Sequence, residues 1–345
     1  MASNKSNLNC GLYEIGIGVS DLEQALAFWR AFGYVPGPRG RLEAHAAAKL
    51  YGVASAVESV RLHHGKATHG LIRLLRWDMP VGTGLGHAPL RSTGSRWSVH
   101  KTDDIMNGFN HAETARQQGQ DIQLRGPLIN VRSTARGYEQ KPFLGPVRAS
   151  HNFQMTLPEA RIVTMQRFNI DISRYGTVAA DALMRTSEGC HMGLVVTGED
   201  ISLFDFYDDV LGFQHGKKVH IDYEPGYTPS DFFDLALGEH FTEFDLEDPA
   251  SGETPETQLP GRLRVFMIHN AQPQPDLREQ SRPGHLGYCL YTARMNDLIA
   301  TRAAVMAYRK HGGAKNVTAI QSDEFGTAAF SFTAPDGYAW TLLQA

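Results

Sequence analysis

The most informative stretch of this sequence is IGIGVSDLEQALAFWRAFGY, residues 15–34. A β-prone run ends at Ser20 and Asp21, and both side chains are of the kind that caps the first turn of a helix. Apolar residues then recur at helical spacing, which predicts one buried helix face. Gly33 follows as a C-terminal stop. The stretch therefore predicts a strand, a helix and a turn.

The same pattern occurs again as MGLVVTGEDISLFDFYDDVLGF, residues 192–213, about half a chain later. The pair Phe28-Trp29 matches Phe206-Tyr207, and Gly33-Tyr34 matches Gly212-Phe213. A repeat with so long a period indicates duplicated domains and not a solenoid of short repeats.

Each half also contains a weaker copy of the pattern, one beginning at Trp97 and the other at His285. Strand-forming segments follow every predicted helix. The sequence therefore predicts an α+β fold of four βαβββ modules, paired into two cupped-sheet domains. We expect modules one and two in residues 1–170 and modules three and four in residues 171–345, with the boundary between Phe168 and Glu188.

Composition excludes several classes of protein. Of the 345 residues, 42% are hydrophobic and 20% are charged, as in an ordinary globular chain with room for two domains. A net charge of −4 gives no basic surface for nucleic acid. The three scattered cysteines, Cys10, Cys190 and Cys289, suit a reducing compartment. The N-terminal residues have no apolar signal segment, and no apolar run reaches the roughly 18 residues of a membrane span. We therefore expect a cytoplasmic protein without nucleic-acid or membrane partners.

The order of these motifs resembles the vicinal-oxygen-chelate superfamily, which includes glyoxalases, bleomycin-resistance proteins and extradiol dioxygenases. The resemblance rests on a histidine before a strand, a helix containing Phe-Tyr, and Leu-Gly-Phe at 211–213. It rests equally on the Pro-Asp-Gly turn at 335–337, which leads into the last strand. It covers most of the chain in outline and is clearer in the second half. It implies two cupped sheets, each formed by a pair of modules.

In this superfamily, metal ligands come from the first and last strands of the modules. The resemblance implies that His191 and His285, which open modules three and four, are two metal ligands in the C-terminal domain. Such a site would hold Fe, Mn, Zn or Ni and leave positions open for a substrate. The expected carboxylate position falls on Thr341, which leaves the third ligand open. The nearest alternative carboxylates are Glu324, Asp323 and Glu239.

The resemblance also implies which residues line the pocket. Thr341 is expected to be a pocket hydroxyl, and Tyr338 either a proton donor or a packing residue. The positions of the acid/base pair of ring-cleaving relatives fall near Ser322 and Ser331. In the first half, Glu14 stands where a histidine would open module one, so this domain is expected to be structural or to form part of the pocket wall.

Other histidines are interpreted from their neighbours. His63, His64 and His69 lie in a glycine-containing segment without a partner motif, which favours a solvated hairpin over a metal site. Three further histidines lie among the strands of module three, and the sequence leaves open which side of the sheet they face: His215, His220 and His240.

Two functions remain. The first is an enzyme that acts on a small oxygen-rich or aromatic metabolite by lyase, isomerase or dioxygenase-like chemistry, with one divalent metal ion. The second is a metal-free protein that binds and sequesters a small molecule, as resistance proteins of this fold do. Association of two copies into a homodimer is compatible with either.

Overall fold

The structure is a computed structural model that describes residues 7–131, 143–170, 175–216, 218–223, 228–252, 257–270 and 273–345. The N-terminal segment in which we expect no signal sequence lies largely outside these ranges, as does part of the expected domain boundary. None of the helices in the described ranges has the length and apolarity needed to cross a bilayer.

Modules one and two follow the predicted order of strand, helix and strands. In chain order their elements are β1 (Leu8–Gly18), α1 (Leu22–Ala31), β2 (Val35–Leu42), α2 (Ala44–Tyr51), β3 (Val57–His63), β4 (Leu71–Trp77), β5 (Arg96–Thr102), α3 (Ile105–Gln117), β6 (Gln123–Val131), β7 (Ala149–Thr156) and β8 (Arg161–Phe168).

Modules three and four repeat this order with shorter helices. Their elements are β9 (Thr186–Thr197), β10 (Gln214–His215), β11 (Val219–Asp222), α4 (Thr228–Phe232), β12 (His240–Glu247), β13 (Arg262–His269), β14 (Gly287–Met295), α5 (Leu298–Ala307), β15 (Gln321–Ser322), β16 (Ala328–Thr333) and β17 (Ala339–Gln344). Short 3-10 turns lie at Ile201–Phe204, Glu279–Ser281 and Lys310–Gly312, and a π-helical turn at Tyr207–Leu211.

The predicted first helix is confirmed with its caps. The carboxylate of Asp21 accepts a hydrogen bond from the backbone N–H of Gln24 at 3.0 Å, and Gly33 has a φ of +90° just after the helix. In module three, the predicted helix is replaced by the 3-10 turn followed by the π-helical turn, which ends at Gly212 with a φ of +85°.

The strands form two sheets, and each sheet combines two modules. One has the order β15-β16-β17-β14-β1-β4-β3-β2 and joins modules one and four; we call it the 1–4 sheet. The other has the order β10-β12-β13-β9-β5-β8-β7-β6, with β11 beside β12, and joins modules two and three; we call it the 2–3 sheet. The predicted α+β fold with two cupped sheets is confirmed.

The sheet pairing differs from the expected pairing of module one with two and of module three with four. The first strand of each module needs a partner for its free edge, and it finds one in the first strand of another module. β1 pairs with β14 across both halves of the chain, and β5 pairs with β9. The division into residues 1–170 and 171–345 stays a prediction.

Apolar side chains fill three regions. The largest cluster packs the outer faces of both sheets against α1, α3 and α5. A second, aromatic cluster lies on the concave side of the 2–3 sheet. A third occupies the concave side of the 1–4 sheet, where Ala47 and Leu50 of α2 pack against Leu75, Leu290 and Leu343. A helix of the same chain therefore occupies part of the cup of the 1–4 sheet and leaves a cavity beside it.

Candidate functional site

The concave side of the 2–3 sheet contains an open cavity lined by residues of β5, β8, β9, β12 and β13. Its floor is aromatic, because the indole of Trp97 packs edge-on against Phe233 at 5.4 Å and lies 5.6 Å from Phe266. Gly193 makes room for this indole, since a Cβ on Gly193 would lie 2.0 Å from the ring. Phe232, the last residue of α4, and Phe233 just after it form one wall. The cavity is therefore suited to a flat, apolar group.

A buried histidine lies at the polar end of this cavity. His191 of β9 lines the cavity, and its Nδ1 forms a short hydrogen bond with the hydroxyl of Tyr175. Burial, reinforced by the positive charge of Arg264, holds the pKa of His191 well below its ordinary value. Burial also raises the pKa of Tyr175. Both groups are therefore neutral near pH 7 and together offer one hydrogen-bond donor or acceptor to the cavity.

Charged side chains of β12 and β13 complete the polar end. Arg264 donates two hydrogen bonds to Asp245 at 2.7 and 2.8 Å and pairs with Glu243 at 3.3 Å. Burial raises the pKa of Asp245, but the charge and hydrogen bonds of Arg264 outweigh burial and lower it to about 2. Glu243 and Arg264 both line the cavity. A bound molecule therefore meets an anchored ion pair beside the neutral imidazole.

A second guanidinium stands near His191. The Cζ of Arg167 lies 4.1 Å from the centre of the Tyr175 ring. Its buried Nε has no hydrogen-bond partner among the described residues. Arg167 therefore adds positive charge beside Tyr175 and His191.

The structure does not bring the two predicted metal ligands together. His191 lies in the cavity of the 2–3 sheet, whereas His285 precedes β14 of the 1–4 sheet and lines another cavity, near Arg282 and Trp340. The separation follows from the module pairing, because modules three and four contribute to different sheets.

The predicted pocket residues also lie away from His191. Thr341 is fully buried on β17, where its hydroxyl is 2.7 Å from that of Ser331. Tyr338 is buried between the two sheets, and its hydroxyl donates to the carbonyl of Val195 at 2.6 Å. Neither residue lines the cavity of the 2–3 sheet.

The alternative carboxylates are held by other partners. Glu324 accepts hydrogen bonds from Tyr51 at 2.9 Å and from Ser59 at 2.8 Å, and pairs with Arg73 at 3.2 Å. Arg73 also contacts Asp323 at 3.5 Å. Glu239 instead receives two hydrogen bonds from Arg91, at 2.6 and 3.0 Å.

Module one contributes its own buried ion network. Glu14, at the position expected for a metal ligand, accepts hydrogen bonds from Arg61 and Arg73, each at 2.6 Å. Burial opposes ionisation of Glu14, but the charges and hydrogen bonds of Arg73 and Arg61 prevail and lower its pKa. Two guanidinium groups therefore take the coordination that a metal ion would use.

The positions at which this fold places metal ligands do not fit a metal ion in either cup. Across the 2–3 sheet, the residues directly opposite one another at the centre are Val163, Val99, His191 and Arg262. Across the 1–4 sheet they are Leu71, Glu14, Thr292 and Thr341. Each row has one side chain of the usual ligand type, and Arg262 adds a positive charge beside His191. A metal centre needs several donors and their negative charge.

The other histidines considered in the sequence lie outside the cup of the 2–3 sheet. His64 and His69, expected in a solvated hairpin, are buried: their ring nitrogens lie 3.7 and 3.5 Å from the Glu188 carboxylate. That expectation is corrected, because strand β9 of module three covers the segment. The side chains of His215, His220 and His240 lie on the outer face of the 2–3 sheet, opposite the cavity.

Sequence analysis missed most of this site. Tyr175, Arg264 and Glu243 carry no motif, and their approach to His191 depends on pairing between strands distant in the chain. The alternation of charged and apolar residues in TEFDLE, residues 242–247, could have indicated one polar face of β12. No local signal placed Trp97 beside Gly193.

The four modules and the two cupped sheets define a vicinal-oxygen-chelate fold, and solved structures show the same fold. Glyoxalase I from Zea mays is 16% identical to this chain, with a TM-score of 0.57, over 99% of this chain and 94% of that one. A proposed dioxygenase from Bacillus subtilis subsp. subtilis str. 168 is 10% identical, with a TM-score of 0.51, over 98% and 86% of the two chains. No protein-family model and no curated protein matches the sequence.

Proposed function

We propose that this protein binds a small planar molecule bearing oxygen groups in the cup of the 2–3 sheet, without a metal ion. The observation that carries this proposal is the cavity itself, in which an aromatic floor leads to the neutral His191 and the Glu243–Arg264 pair. The expected cytoplasmic location and the homodimer remain predictions beside it.

The floor of the cavity favours an aromatic group in the ligand. Trp97, Phe233 and Phe266 offer ring faces and edges to a bound aromatic group, and Val99 and Val163 extend the surface. Burial of apolar area contributes about 25 cal/mol per Å², and aromatic pairs add roughly 0.5–1.5 kcal/mol. An aromatic ring therefore gains more here than an alcohol or sugar of equal size.

The polar end of the cavity favours oxygen groups on the ligand. The hydrogen bond between the Tyr175 hydroxyl and Nδ1 of His191 can run in either direction. The pair can therefore present either a donor or an acceptor to the cavity. Arg264 lines the cavity, and Arg167 adds positive charge from its position over the Tyr175 ring. A phenol, catechol or aromatic carboxylate satisfies these groups, whereas a cationic ligand meets two guanidinium groups.

A second candidate function is metal-independent acid–base chemistry on the bound molecule, of the lyase or isomerase type. It is favoured by one observation, that an imidazole and the carboxylate of Glu243 line the same cavity. The lowered pKa makes His191 a weak base, so Glu243 would accept the proton and His191 would hold the substrate oxygen. Metal chemistry through His191 and His285 is not carried forward, because these side chains line different cavities.

The test uses benzoate and catechol as probes, with cyclohexylamine as a cationic control, in isothermal titration calorimetry with and without EDTA. We expect benzoate or catechol to bind equally well in both buffers. His191→Gln removes one polar contact and should weaken binding by about 10-fold. His285→Gln is the matched control, because this histidine lines the other cavity, and it should leave binding unchanged.

Several results would contradict the proposal. Binding that disappears with EDTA would show a required metal, and equal loss in both histidine variants would show that the cup of the 2–3 sheet is not the site. ¹H NMR of the same samples separates the two candidate functions. Probe signals that stay constant over hours support binding alone, and new signals that depend on Glu243 support catalysis.

A further inference from the structure

Four polar side chains form a compact group on the outer face of the 2–3 sheet, on the side away from the cup. Asp222, His240 and His269 are directly opposite one another on the neighbouring strands β11, β12 and β13. His220 lies one step further along, opposite Thr242. Directly opposite residues share one face of a sheet, so all of these side chains meet in one place.

The distances within this group are short. The ring centres of His220 and His240 are 4.8 Å apart, those of His240 and His269 4.9 Å, and those of His220 and His269 5.8 Å. A donor atom from each of His220, Asp222 and His240 lies within 4.8 Å of the other two. Donor atoms this close to one another can converge on a single cation after small side-chain movements.

Thr242 determines which ring nitrogen of His220 remains available to a metal ion. The hydroxyl of Thr242 lies 2.8 Å from Nε2 of His269 and 3.5 Å from Nδ1 of His220. A hydroxyl has one proton, so it can donate to His269 and accept from His220. That arrangement leaves the lone pair of His220 Nε2 facing Asp222, whose carboxylate is 3.7 Å away. Such outer hydrogen bonds orient histidine ligands in metal sites.

We propose that His220, Asp222 and His240 bind one divalent transition-metal ion of the Zn²⁺, Ni²⁺ or Cu²⁺ class. Two imidazoles and a carboxylate suit these ions better than Mg²⁺ or Ca²⁺, which prefer oxygen ligands. Tetrahedral coordination needs donor atoms about 3.3 Å apart. The side chains of His220 and Asp222 are 52% and 89% exposed, so they are free to close this small gap. His269 stacks against His240 with 20° between the rings and supports it from below.

The ion would hold the short strand β11 against β12. On the opposite face of β11 and just after it, Ile221 and Tyr223 pack against the aromatic cluster that forms the floor of the cup. The metal site therefore secures the edge of the sheet that carries this floor. This role goes beyond ligand binding in the cup and does not depend on it.

The experiment uses the untagged, full-length protein, stripped with chelator and titrated with ZnCl₂ in calorimetry, with the bound zinc counted by mass spectrometry. We expect one zinc ion per chain and a Tm that rises with zinc. His220→Gln, Asp222→Asn and His240→Gln should each weaken binding by about 100-fold, beyond the usual effect of losing an outer hydrogen bond. His215→Gln is the matched control, an exposed histidine on the same face that should not matter.

The proposal is overturned if the protein takes up no zinc, nickel or copper, or if the double variant His220→Gln/His240→Gln binds zinc as the natural chain does. Loss of zinc in His191→Ala, with these three residues intact, would place the ion in the cup instead. Circular dichroism confirms the fold of each variant. Benzoate titration of the same variants separates this site from the cup, because failure at one leaves the other intact.

Discussion

His100 shows how a histidine is buried in this protein without a metal ion. Its Nδ1–H donates to the carbonyl of Ser187 at 3.0 Å, and its Nε2 accepts from the hydroxyl of Ser98 at 2.9 Å. The hydroxyl of Ser98 is in turn 2.8 Å from that of Tyr288, which must donate. Because the carbonyl can only accept, the chain of donors fixes one neutral tautomer. Burial lowers the pKa of His100 to about 4.

This lowered pKa predicts a loss of stability in acid. The unfolded chain binds a proton at His100 below pH 6.5, whereas the folded chain does so only near pH 4. Stability is therefore full above pH 6.5 and falls between pH 6.5 and 4, by about 3 kcal/mol for this residue. His100→Gln should flatten that part of the pH dependence in urea unfolding. Equal slopes for variant and natural chain would refute the assignment.

Helix α2 makes the two cups different, because it occupies part of the cup of the 1–4 sheet. Its sequence AHAAAKLY, residues 44–51, is rich in alanine and ends at Gly52 with a φ of +75°. The helix lies on the concave side of the 1–4 sheet, and the hydroxyl of Tyr51 joins the network of Arg73 and Glu324. A cavity lined by Leu50, His285 and Ser331 remains beside the helix, so both cups keep open space. The aromatic floor and the buried His191 distinguish the cup of the 2–3 sheet.

Removal of a buried side chain from α2 should cost stability without affecting the cup of the 2–3 sheet. Leu50 is fully buried, so Leu50→Ala is expected to lower the free energy of unfolding by about 3 kcal/mol. Lys49→Ala, on the exposed side of the same helix, should change it by less than about 0.5 kcal/mol. Urea unfolding measures both. Benzoate binding that weakens in Leu50→Ala would contradict the separation of the two cups.

The two sheets are joined by buried tyrosines. The hydroxyl of Tyr338 donates to the carbonyl of Val195 at 2.6 Å and accepts from the N–H of Gly94 at 3.0 Å. The hydroxyl of Tyr291 donates to the carbonyl of Gly193 at 2.6 Å. The guanidinium of Arg96 lies 4.8 Å from the centre of the Tyr338 ring and 5.0 Å from that of the Tyr291 ring. Polar contacts between the sheets therefore fix how they sit relative to each other.

Tyr338→Phe tests this junction. It leaves the N–H of Gly94 without its hydroxyl partner, and we expect a loss of about 2 kcal/mol in the free energy of unfolding, with unchanged benzoate binding. Tyr308→Phe is the matched control, because the buried hydroxyl of Tyr308 has no hydrogen-bond partner in the described ranges. A change in ligand affinity on Tyr338→Phe would instead restore this residue to the pocket.

Local features of the chain were predictable from the sequence. The capped helix between Asp21 and Gly33, its copy before Gly212 and the turn at Pro335 depend on neighbours within a few residues. Such features indicated four modules and a cupped α+β fold. The alanine-rich segment before Gly52 carries the same kind of signal for α2.

The modules follow from local sequence, because caps, turns and helical spacing act over short distances. Which modules share a sheet is visible only in the folded chain, because the free edge of one first strand fits that of any other. This choice separated His191 from His285, put Tyr175 beside His191, and gathered His220, Asp222 and His240 on the outer face. The sites of this protein therefore depend on long-range strand pairing, which no local pattern encodes.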